Sequence, residues 1–501
     1  MGAPRRRLSA AGLGRCAIRA AALAFALAGC GPSPAPPDLG RLYAHANDAD
    51  FRNPVITIPG LLGSRLVDER TGVVVWGGGR RLSADPSDPL EAHVSAHPVG
   101  APGTRLWDLR DAVRTDGVAR IVTPSFLGVT APLDIYQGLI RTLIAGGYDF
   151  RETRAEEIAE REINLDAFEF PYDWRRGIVE AASDLAYFIE RKTAQVAAER
   201  ERVLGHAGPP VRFDLVAHSM GALVARYYLM YGGADLPQEG ALPSPSWAGA
   251  EHVDRAVLIA PPHSGSVETL KHLVEGRSFG PLQPFYPAGL LGTYPSLYQV
   301  MPRDRHGRVR DGDGAPISAL YEVDTWIARE WGLADPREAK TLAAIMPAVD
   351  EPGERRRRAL AHLDKALRRA ERVQAALDTP NEPPDGLDLF LVVGGGFETA
   401  AGLRWDAEAR AFEVDRVEEG DFVIPRASAL ADERQDKAMR ARGLVSPHSY
   451  RSILFLPREH VEITLDPVFG DNLLFWLLEG PRGAEDAAAS IAAAEAARAA
   501  E

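Results

Sequence analysis

The sequence has little cysteine: the chain of 501 residues contains two, Cys16 and Cys30. A framework of several disulfides is therefore excluded, and a hydrophobic core must stabilise the folded part. The chain also lacks an excess of positive charge: 57 lysines and arginines stand against 70 acidic residues, and the formal net charge is −13. That balance gives no electrostatic footprint for nucleic acid. The sequence shows neither metal-ligand spacing nor a glycine-rich nucleotide loop, so we expect no metal and no cofactor.

Long apolar runs are scarce as well. The apolar stretch at residues 17–28 follows arginines at positions 5–7 and ends in Leu27-Ala28-Gly29-Cys30. It is too short for a stable membrane helix, but it has the pattern of a secretory signal peptide over residues 1–29. Its last four residues resemble a lipobox, which implies cleavage before Cys30 and acyl chains on that residue. Plain signal-peptidase cleavage and an ordinary Ala-rich stretch without a signal function are the alternatives.

Residues 30–52 follow as a linker whose first part is rich in proline, a composition that favours an extended spacer. We therefore expect an exported protein that is anchored to the bacterial cell envelope through Cys30. Glycine at position 31 favours the outer membrane, by analogy with known sorting, if the source is Gram-negative. The export route, Sec or Tat, stays open.

Alternating strands and helices indicate the fold class. Apolar strands are predicted at residues 54–60, 211–217, 253–260, 387–393 and 452–456, and helices at 133–147, 178–203 and 220–231. This alternation predicts an α/β fold with a mostly parallel sheet covered on both faces. The predicted core comprises residues 53–263 and 386–480. Residues 264–385 are predicted to be a cap insertion, and residues 481–501 an Ala-rich tail.

A further helix is predicted within the cap, at residues 353–378, with apolar residues on one face. Its other face carries many cations: Arg355 to Arg358, Lys365, Arg368, Arg369 and Arg372. A solvated face is one interpretation. A surface for anionic lipid head groups is the other.

The stretch LVAHSMGAL, residues 215–223, predicts a strand, a sharp turn and a helix with Ser219 at the apex. This is the arrangement of a nucleophile elbow, where small residues flank the serine two positions away on each side. Ala217 replaces the usual first glycine, and Gly221 keeps the second. A serine that merely caps a helix is the alternative.

The predicted oxyanion donors are two backbone N–H groups. One belongs to Met220, directly after the serine, and the other to Leu61 in the Gly-rich loop after the first strand. In α/β-hydrolases an acid and then a histidine follow the serine along the chain. Asp421 and His460 occupy those places, and His448 is a rival for the histidine.

Several motifs in this order resemble the lecithin:cholesterol acyltransferase family, which also includes lysosomal phospholipases and bacterial relatives. They are ITIPGLLGSRLVDERTGVVVW at 56–76, FPYDWRR at 170–176, AHSMGAL at 217–223, APPHSGS at 260–266, EGDFVIP at 419–425 and HVEITLDPVFGDNLLFWLL at 460–478.

The resemblance implies an α/β-hydrolase core with cap and lid insertions and a triad of Ser219, Asp421 and His460. The chain departs from the family pattern at Ala217 before the elbow and around the acid. The family's Gly-Asp-Gly-Thr-Val appears here as Gly420-Asp421-Phe422-Val423-Ile424, which keeps the Asp but changes its neighbours. The disulfide that closes the lid of the mammalian members has no counterpart here. We expect the lid within residues 75–125.

The matched motif Tyr172-Asp173-Trp174 either forms a structural loop or lines the acyl or head-group site. The resulting hypothesis is acyl transfer from a membrane glycerophospholipid to an alcohol or water. Two alternatives stay open: an esterase for short-chain or neutral lipid esters, and a catalytically silent lipid-binding lipoprotein.

Overall fold

The structure is a computed structural model. It describes residues 36–44, 52–78, 82–122, 125–126, 129–130, 133–150, 166–205, 208–278, 283–434 and 437–480. Residues 1–38 and 39–501 are two separate units, and the fold belongs to the second. The predicted signal peptide, Cys30 and the tail lie outside the described residues, so the expectations attached to them stay predictions.

The strands, in chain order, are β1 Val55–Ile58, β2 Ser64–Asp68, β3 Val74–Trp76, β4 Val113–Val118, β5 Ile121–Val122, β6 Ser125–Phe126, β7 Val129–Thr130, β8 Leu133–Asp134, β9 Ala167–Glu169, β10 Phe213–His218, β11 Val253–Ile259, β12 Arg277–Ser278, β13 Phe285–Tyr286, β14 Val309–Arg310, β15 Asp388–Gly394, β16 Phe397–Asp406, β17 Ala411–Gly420 and β18 Ser452–Leu456.

The α-helices are α1 Leu39–Leu42, α2 Pro89–Ser95, α3 Gln137–Ala145, α4 Ile178–Leu204, α5 Met220–Tyr231, α6 Val267–Glu275, α7 Ala288–Leu291, α8 Pro295–Gln299, α9 Val323–Arg329, α10 Ala339–Ile345, α11 Pro352–Leu377, α12 Arg426–Ala429, α13 Lys437–Arg440 and α14 Pro467–Leu474. Short 3₁₀ turns include Ala248–His252 and Glu462–Leu465, and a π-helical turn covers Phe475–Glu479.

The central sheet has the strand order β18–β15–β11–β10–β1–β9, and every pair in it is parallel. The expected α/β class with a mostly parallel sheet is therefore confirmed. Because parallel strands all end at the same edge, the loops after β1, β10 and β15 emerge together. These loops carry the residues from which the candidate site is built.

Both faces of this sheet are covered, as the continuous apolar strands predict. Along β10, Leu215 and Ala217 join one hydrophobic cluster and Val216 joins the other, because side chains alternate between the faces. Helices α4, α5 and α11 contribute buried residues to the first cluster. Helices α3 and α14 contribute to the second.

The segment predicted as a cap runs between β11 and β15, which are neighbours in the sheet. It contains α6 to α11. The apolar face of α11 is buried in the same cluster as α4 and α5, through residues such as Leu363, Leu367 and Val373. The cationic side chains of α11 do not all face solvent: Arg369 is buried and pairs with Glu180 and Asp235. The prediction that the cationic face of α11 lies wholly against solvent or lipid is therefore wrong for Arg369.

The segment in which a lid is expected contains helix α2 and strand β4, and β4 pairs with β2 in a short antiparallel sheet of order β3–β2–β4. Residues 79–81 and 123–124 lie outside the described part, and a lid within residues 75–125 stays a prediction. A second antiparallel pair, β16 and β17, leads from the end of β15 to Asp421. No helix in the described part is both long enough and apolar enough to span a membrane.

Candidate active site

Ser219 lies at a strained turn between β10 and α5. Its φ and ψ are 54° and −126°, which are unusual for any residue other than glycine. The backbone N–H of Ser219 donates to the carbonyl of Ile259 at 2.7 Å, and this bond fixes the turn against β11. This is the local geometry of a nucleophile elbow, where the strain holds the serine clear of the sheet.

Glycine is required at two places around this turn. A Cβ atom at Gly60 would lie 2.7 Å from Cβ of Ser219, and one at Gly221 would lie 2.3 Å from the carbonyl oxygen of Pro59. Ala217 causes no such conflict, because its methyl group is buried within the core as part of β10. The elbow therefore accepts alanine at the first flanking position while it needs glycine at the second.

Three predicted residues meet at the carboxyl edge of the sheet. Oγ of Ser219 is 2.9 Å from Nε2 of His460, and Nδ1 of His460 is 2.8 Å from Oδ2 of Asp421. All three side chains are buried. This order of a hydroxyl, an imidazole and a carboxylate is the one needed to activate a serine and to orient its base.

Asp421 is held by its own turn. Its Oδ1 accepts the backbone N–H groups of Val423 and Ile424, at 3.0 and 2.6 Å. Burial alone would raise its pKa, but His460 and these hydrogen bonds outweigh burial and lower the pKa. The carboxylate therefore stays ionised and faces Nδ1 of His460, which must carry the proton of this bond.

The two predicted oxyanion donors lie next to these residues in the chain. In the described part of the molecule, neither the N–H of Leu61 nor that of Met220 has a hydrogen-bond acceptor. The loop of Leu61 is fixed by the bond from the N–H of Gly63 to the carbonyl of Gly60, at 3.0 Å. Both N–H groups remain available for an anionic oxygen.

A buried hydrogen-bonded chain, not expected from the sequence, joins this loop to His460. Oη of Tyr136 lies 2.7 Å from the N of Gly60 and 2.9 Å from Nδ1 of His218, whose Nε2 lies 3.0 Å from the carbonyl oxygen of His460. A carbonyl can only accept, so Nε2 of His218 carries a proton. Burial lowers the pKa of His218 to about 3, which leaves Nδ1 unprotonated. Tyr136 therefore donates to His218 and accepts from Gly60.

The matched motif after β9 makes mainly structural contacts. Tyr172 N–H donates to Oγ of Ser64, Trp174 Nε1 donates to the carbonyl of the same serine, and Asp173 pairs with Arg175. Arg175 is fully buried, and it also donates to the carbonyl oxygens of residues 94–96. These contacts support the structural interpretation of the motif over a role as the wall of the site.

His448, the rival for the histidine, lies elsewhere. Its Nδ1 accepts from Arg226 at 2.9 Å, and its ring packs on His263, 4.9 Å between centroids. Burial holds the pKa of both imidazoles well below the usual range. Within the described residues, no group of His, Cys, Asp and Glu is arranged to hold a metal ion.

Comparison with known families agrees with the motifs. Residues 141–310 match the family model described as lecithin:cholesterol acyltransferase. The matched region includes Ser219, while Asp421 and His460 lie downstream of it. The resemblance to this family is thereby confirmed, and with it the α/β-hydrolase core. The match supports an enzyme that acts on lipid esters by hydrolysis or acyl transfer.

Similar solved structures include a chain of the Tle4-Tli4 complex, at 15% identity and a TM-score of 0.49, with coverage of 85% of this chain and 99% of that chain. Lipase 1 from Pelosinus fermentans has 13% identity and a TM-score of 0.32, with coverage of 86% of this chain and 100% of that chain. No curated protein matches the chain significantly.

Proposed function

We propose that the protein is a serine-dependent enzyme that transfers an acyl chain from a glycerophospholipid to an alcohol or to water. One observation carries this proposal: the continuous hydrogen bonding from Ser219 through His460 to Asp421, at 2.9 and 2.8 Å. A serine hydroxyl is a weak nucleophile until an adjacent base takes its proton. Here the base is within reach and its tautomer is fixed by an ionised carboxylate.

In the first step, Nε2 of His460 takes the proton of Ser219 as Oγ bonds to the ester carbonyl carbon. The carbonyl oxygen becomes an anion, which the N–H groups of Leu61 and Met220 stabilise. The intermediate collapses as His460 returns the proton to the leaving glycerol oxygen. The products are a lysophospholipid and an acyl group on Oγ of Ser219.

In the second step, an alcohol or a water molecule attacks the acyl-enzyme. His460 takes the proton of the attacking oxygen and then gives it to Oγ of Ser219 as the acyl bond breaks. A new ester or a free fatty acid is released, and the serine is restored. Asp421 stays ionised throughout and stabilises the imidazolium that forms twice per cycle.

The test is mass spectrometry of products from phosphatidylcholine vesicles that contain a sterol or a long-chain alcohol. The full chain is compared with Ser219→Ala and with Ser318→Ala, an exposed serine. A lysophospholipid together with a new ester, absent only in Ser219→Ala, supports a transferase. Lysophospholipid with free fatty acid alone supports a phospholipase.

Two other outcomes separate the alternative functions. Cleavage of short-chain or neutral-lipid esters, with no product from phospholipid, would favour an esterase on the same fold. No product that depends on Ser219 from any ester would favour a silent lipid-binding protein. Either result would overturn the phospholipid proposal.

We also propose export and attachment to the cell envelope through acyl chains on Cys30. The basis is the signal-like pattern of residues 1–29 and the lipobox-like residues before Cys30. An anchor of this kind would keep the enzyme next to an insoluble substrate. Metabolic labelling with a fatty acid is expected to label the parent protein and not Cys30→Ser, and a parent protein without label would overturn this proposal.

A further inference from the structure

Phe422, directly after the candidate catalytic acid, combines two unusual properties. Its φ is +71°, a conformation that bulky side chains rarely adopt, and its side chain is 51% exposed. The family pattern that this chain resembles has glycine at this position, and glycine would adopt the conformation without strain. The backbone therefore gives no reason for phenylalanine, and packing in a core gives none either.

The surrounding contacts fix Phe422 in this exposed position. Its N–H donates to Oγ1 of Thr399 at 3.0 Å, and the next two N–H groups bond to Asp421. Its ring lies against Phe397, with 4.4 Å between ring centroids. The turn that orients the catalytic acid thus also presents an aromatic ring to the surface.

Other exposed apolar side chains lie beside Asp421 and His460, which are hydrogen-bonded to each other. Val423 is 42% exposed, and Val461, which directly follows His460, is 40% exposed. Because Asp421 and His460 are in contact, their chain neighbours Phe422, Val423 and Val461 are brought to the same end of the candidate site on two loops. We call these three residues the apolar rim. Isolated exposed apolar residues are ordinary, but here three adjoin one buried functional pair.

We propose that the apolar rim inserts into the surface of a phospholipid aggregate and so brings Ser219 to the ester bonds of the lipid. This inference rests on the proposed function and goes beyond it, because it names the surface that meets the substrate. The ester carbonyls of a phospholipid lie between the head groups and the acyl chains. Apolar side chains that enter this boundary beside the triad would hold the serine at the same depth.

The charge around the rim agrees with this partner. The rim itself is neutral, and charges of both signs lie close by. The guanidinium of Arg426 lies over the ring of Phe455, 4.2 Å from its centroid, and pairs with Glu419 at 3.4 Å. Glu462, directly after Val461, has an exposed side chain. An arginine beside an aromatic ring suits the phosphate layer of a bilayer. With a net charge of −13 for the whole chain, we expect no preference for anionic vesicles and little effect of salt on binding.

The experiment measures vesicle binding by flotation with phosphatidylcholine vesicles. Every variant begins at residue 30 and carries Cys30→Ser, so that neither the apolar stretch at residues 17–28 nor an acyl anchor can contribute. Phe422→Gly is compared with Phe422→Leu and with Tyr187→Ser. Tyr187 is 62% exposed on α4. The partly buried ring of the neighbouring Phe188 packs on Phe168 of β9, and β9 and β15 are far apart in the strand order of the sheet.

Phe422→Gly is expected to weaken vesicle binding about ten-fold, the loss for one buried aromatic side chain. Its activity on vesicles should fall several-fold more than its activity on a soluble short-chain ester. Phe422→Leu should retain most of the binding, and Tyr187→Ser all of it. The melting temperature of Phe422→Gly should not fall, because glycine relieves the strained φ, so unfolding would not explain the loss.

Unchanged vesicle binding by Phe422→Gly would overturn the inference even if the parent protein still produces lysophospholipid. Binding that rises with anionic lipid and disappears in salt would overturn it in favour of a charged surface. A dimer in light scattering that Phe422→Gly dissociates would overturn it in favour of self-association. Rim-dependent binding without any phospholipid product would support the rim and contradict the proposed function, so the two failures are distinguishable.

Discussion

Nε2 of His218 donates a hydrogen bond of 3.0 Å to the backbone carbonyl of His460. The residue before the nucleophile thus holds the main chain of the candidate base. Nδ1 of the same imidazole accepts a hydrogen bond from the hydroxyl of Tyr136. That hydroxyl in turn accepts a hydrogen bond from the backbone N–H of Gly60. The donor and the acceptor of every hydrogen bond in this series are determined, because the carbonyl of His460 at one end can only accept and the N–H of Gly60 at the other end can only donate. The elbow, the base and the oxyanion loop therefore form one connected unit.

Removal of the tyrosine hydroxyl should disturb this unit without removing a reacting group. Tyr136→Phe leaves the N–H of Gly60 and Nδ1 of His218 buried without partners, which should destabilise the fold by about 1–3 kcal/mol. We expect kcat to fall about ten-fold or more, since a small displacement of a catalytic group is costly, with little change in KM.

The matched control is Tyr450→Phe, because the hydroxyl of Tyr450 also bonds to a buried imidazole, Nε2 of His263, at 2.8 Å. That variant should lose similar stability but keep kcat. Steady-state kinetics and denaturant unfolding of both variants check the prediction. Equal losses of kcat in the two variants would mean that the effect of Tyr136 is general destabilisation.

The close approach of Gly60 to the nucleophile gives a second prediction. A Cβ at this residue would be 2.7 Å from Cβ and 3.3 Å from Oγ of Ser219. Gly60→Ala should therefore displace the serine or the loop of Leu61 and lower kcat about 100-fold, the scale of losing one oxyanion donor. Gly103→Ala is the control, because a Cβ there meets no atom within 4 Å. Activity in Gly60→Ala near that of the control would contradict the predicted oxyanion loop.

A third prediction concerns Arg175, which is fully buried between Asp111 and Asp173. Arg175→Met would leave two partly buried carboxylates without their cation, and breaking a buried pair costs about 3–5 kcal/mol. Arg404→Met is the control, since its pair with Glu413 is exposed and should be worth less than about 1 kcal/mol. Urea unfolding of the two variants measures the difference. Equal midpoints would show that the buried cation does not stabilise the loop after β9.

Much of the site follows from the sequence because its elements are local and strongly patterned. The helix predicted at 220–231 has these bounds in the structure, since a turn of small residues precedes it and Gly232 ends it. The apolar run of β10 is buried on both faces of the sheet, and such strands are continuous in the sequence. Asp421 and His460 could be chosen because their order along the chain is set by the connectivity of the fold.

The features that the sequence did not predict depend on partners distant in the chain. Strands β16 and β17 carry charged residues at many positions, so neither has an apolar pattern that predicts a strand. Each is stabilised by its pairing with the other. Arg369 has the pattern of a solvent-facing residue, yet its partners Glu180 and Asp235 come from distant segments. The bond from His218 to His460 likewise joins residues that only the folded sheet brings together.

The last prediction is a loss of stability in acid that depends on Glu433. This carboxylate accepts from Arg305 at 2.6 Å and from Nε2 of His306 at 3.0 Å. Burial alone would raise its pKa, but these two hydrogen bonds outweigh burial and lower the pKa to about 2. The folded state thus holds the proton less tightly than the unfolded chain. The contribution of Glu433 to stability is complete above the unfolded pKa of about 4.3 and is lost as the pH falls to about 2.

Glu433→Gln should therefore be less stable than the parent at pH 6, and the difference should shrink as the pH approaches 2, where the parent carboxylate is itself protonated. Glu413→Gln is the control, because the side chain of Glu413 is 60% exposed beside Arg404 and should show little pH-dependent difference. Thermal unfolding of the three proteins between pH 2 and pH 6 measures these differences. A gap between Glu433→Gln and the parent that stays constant over this range would mean that the carboxylate charge does not contribute. The hydrogen-bonding shape of the side chain alone would then stabilise the contact with the 3₁₀ turn Asp304–His306.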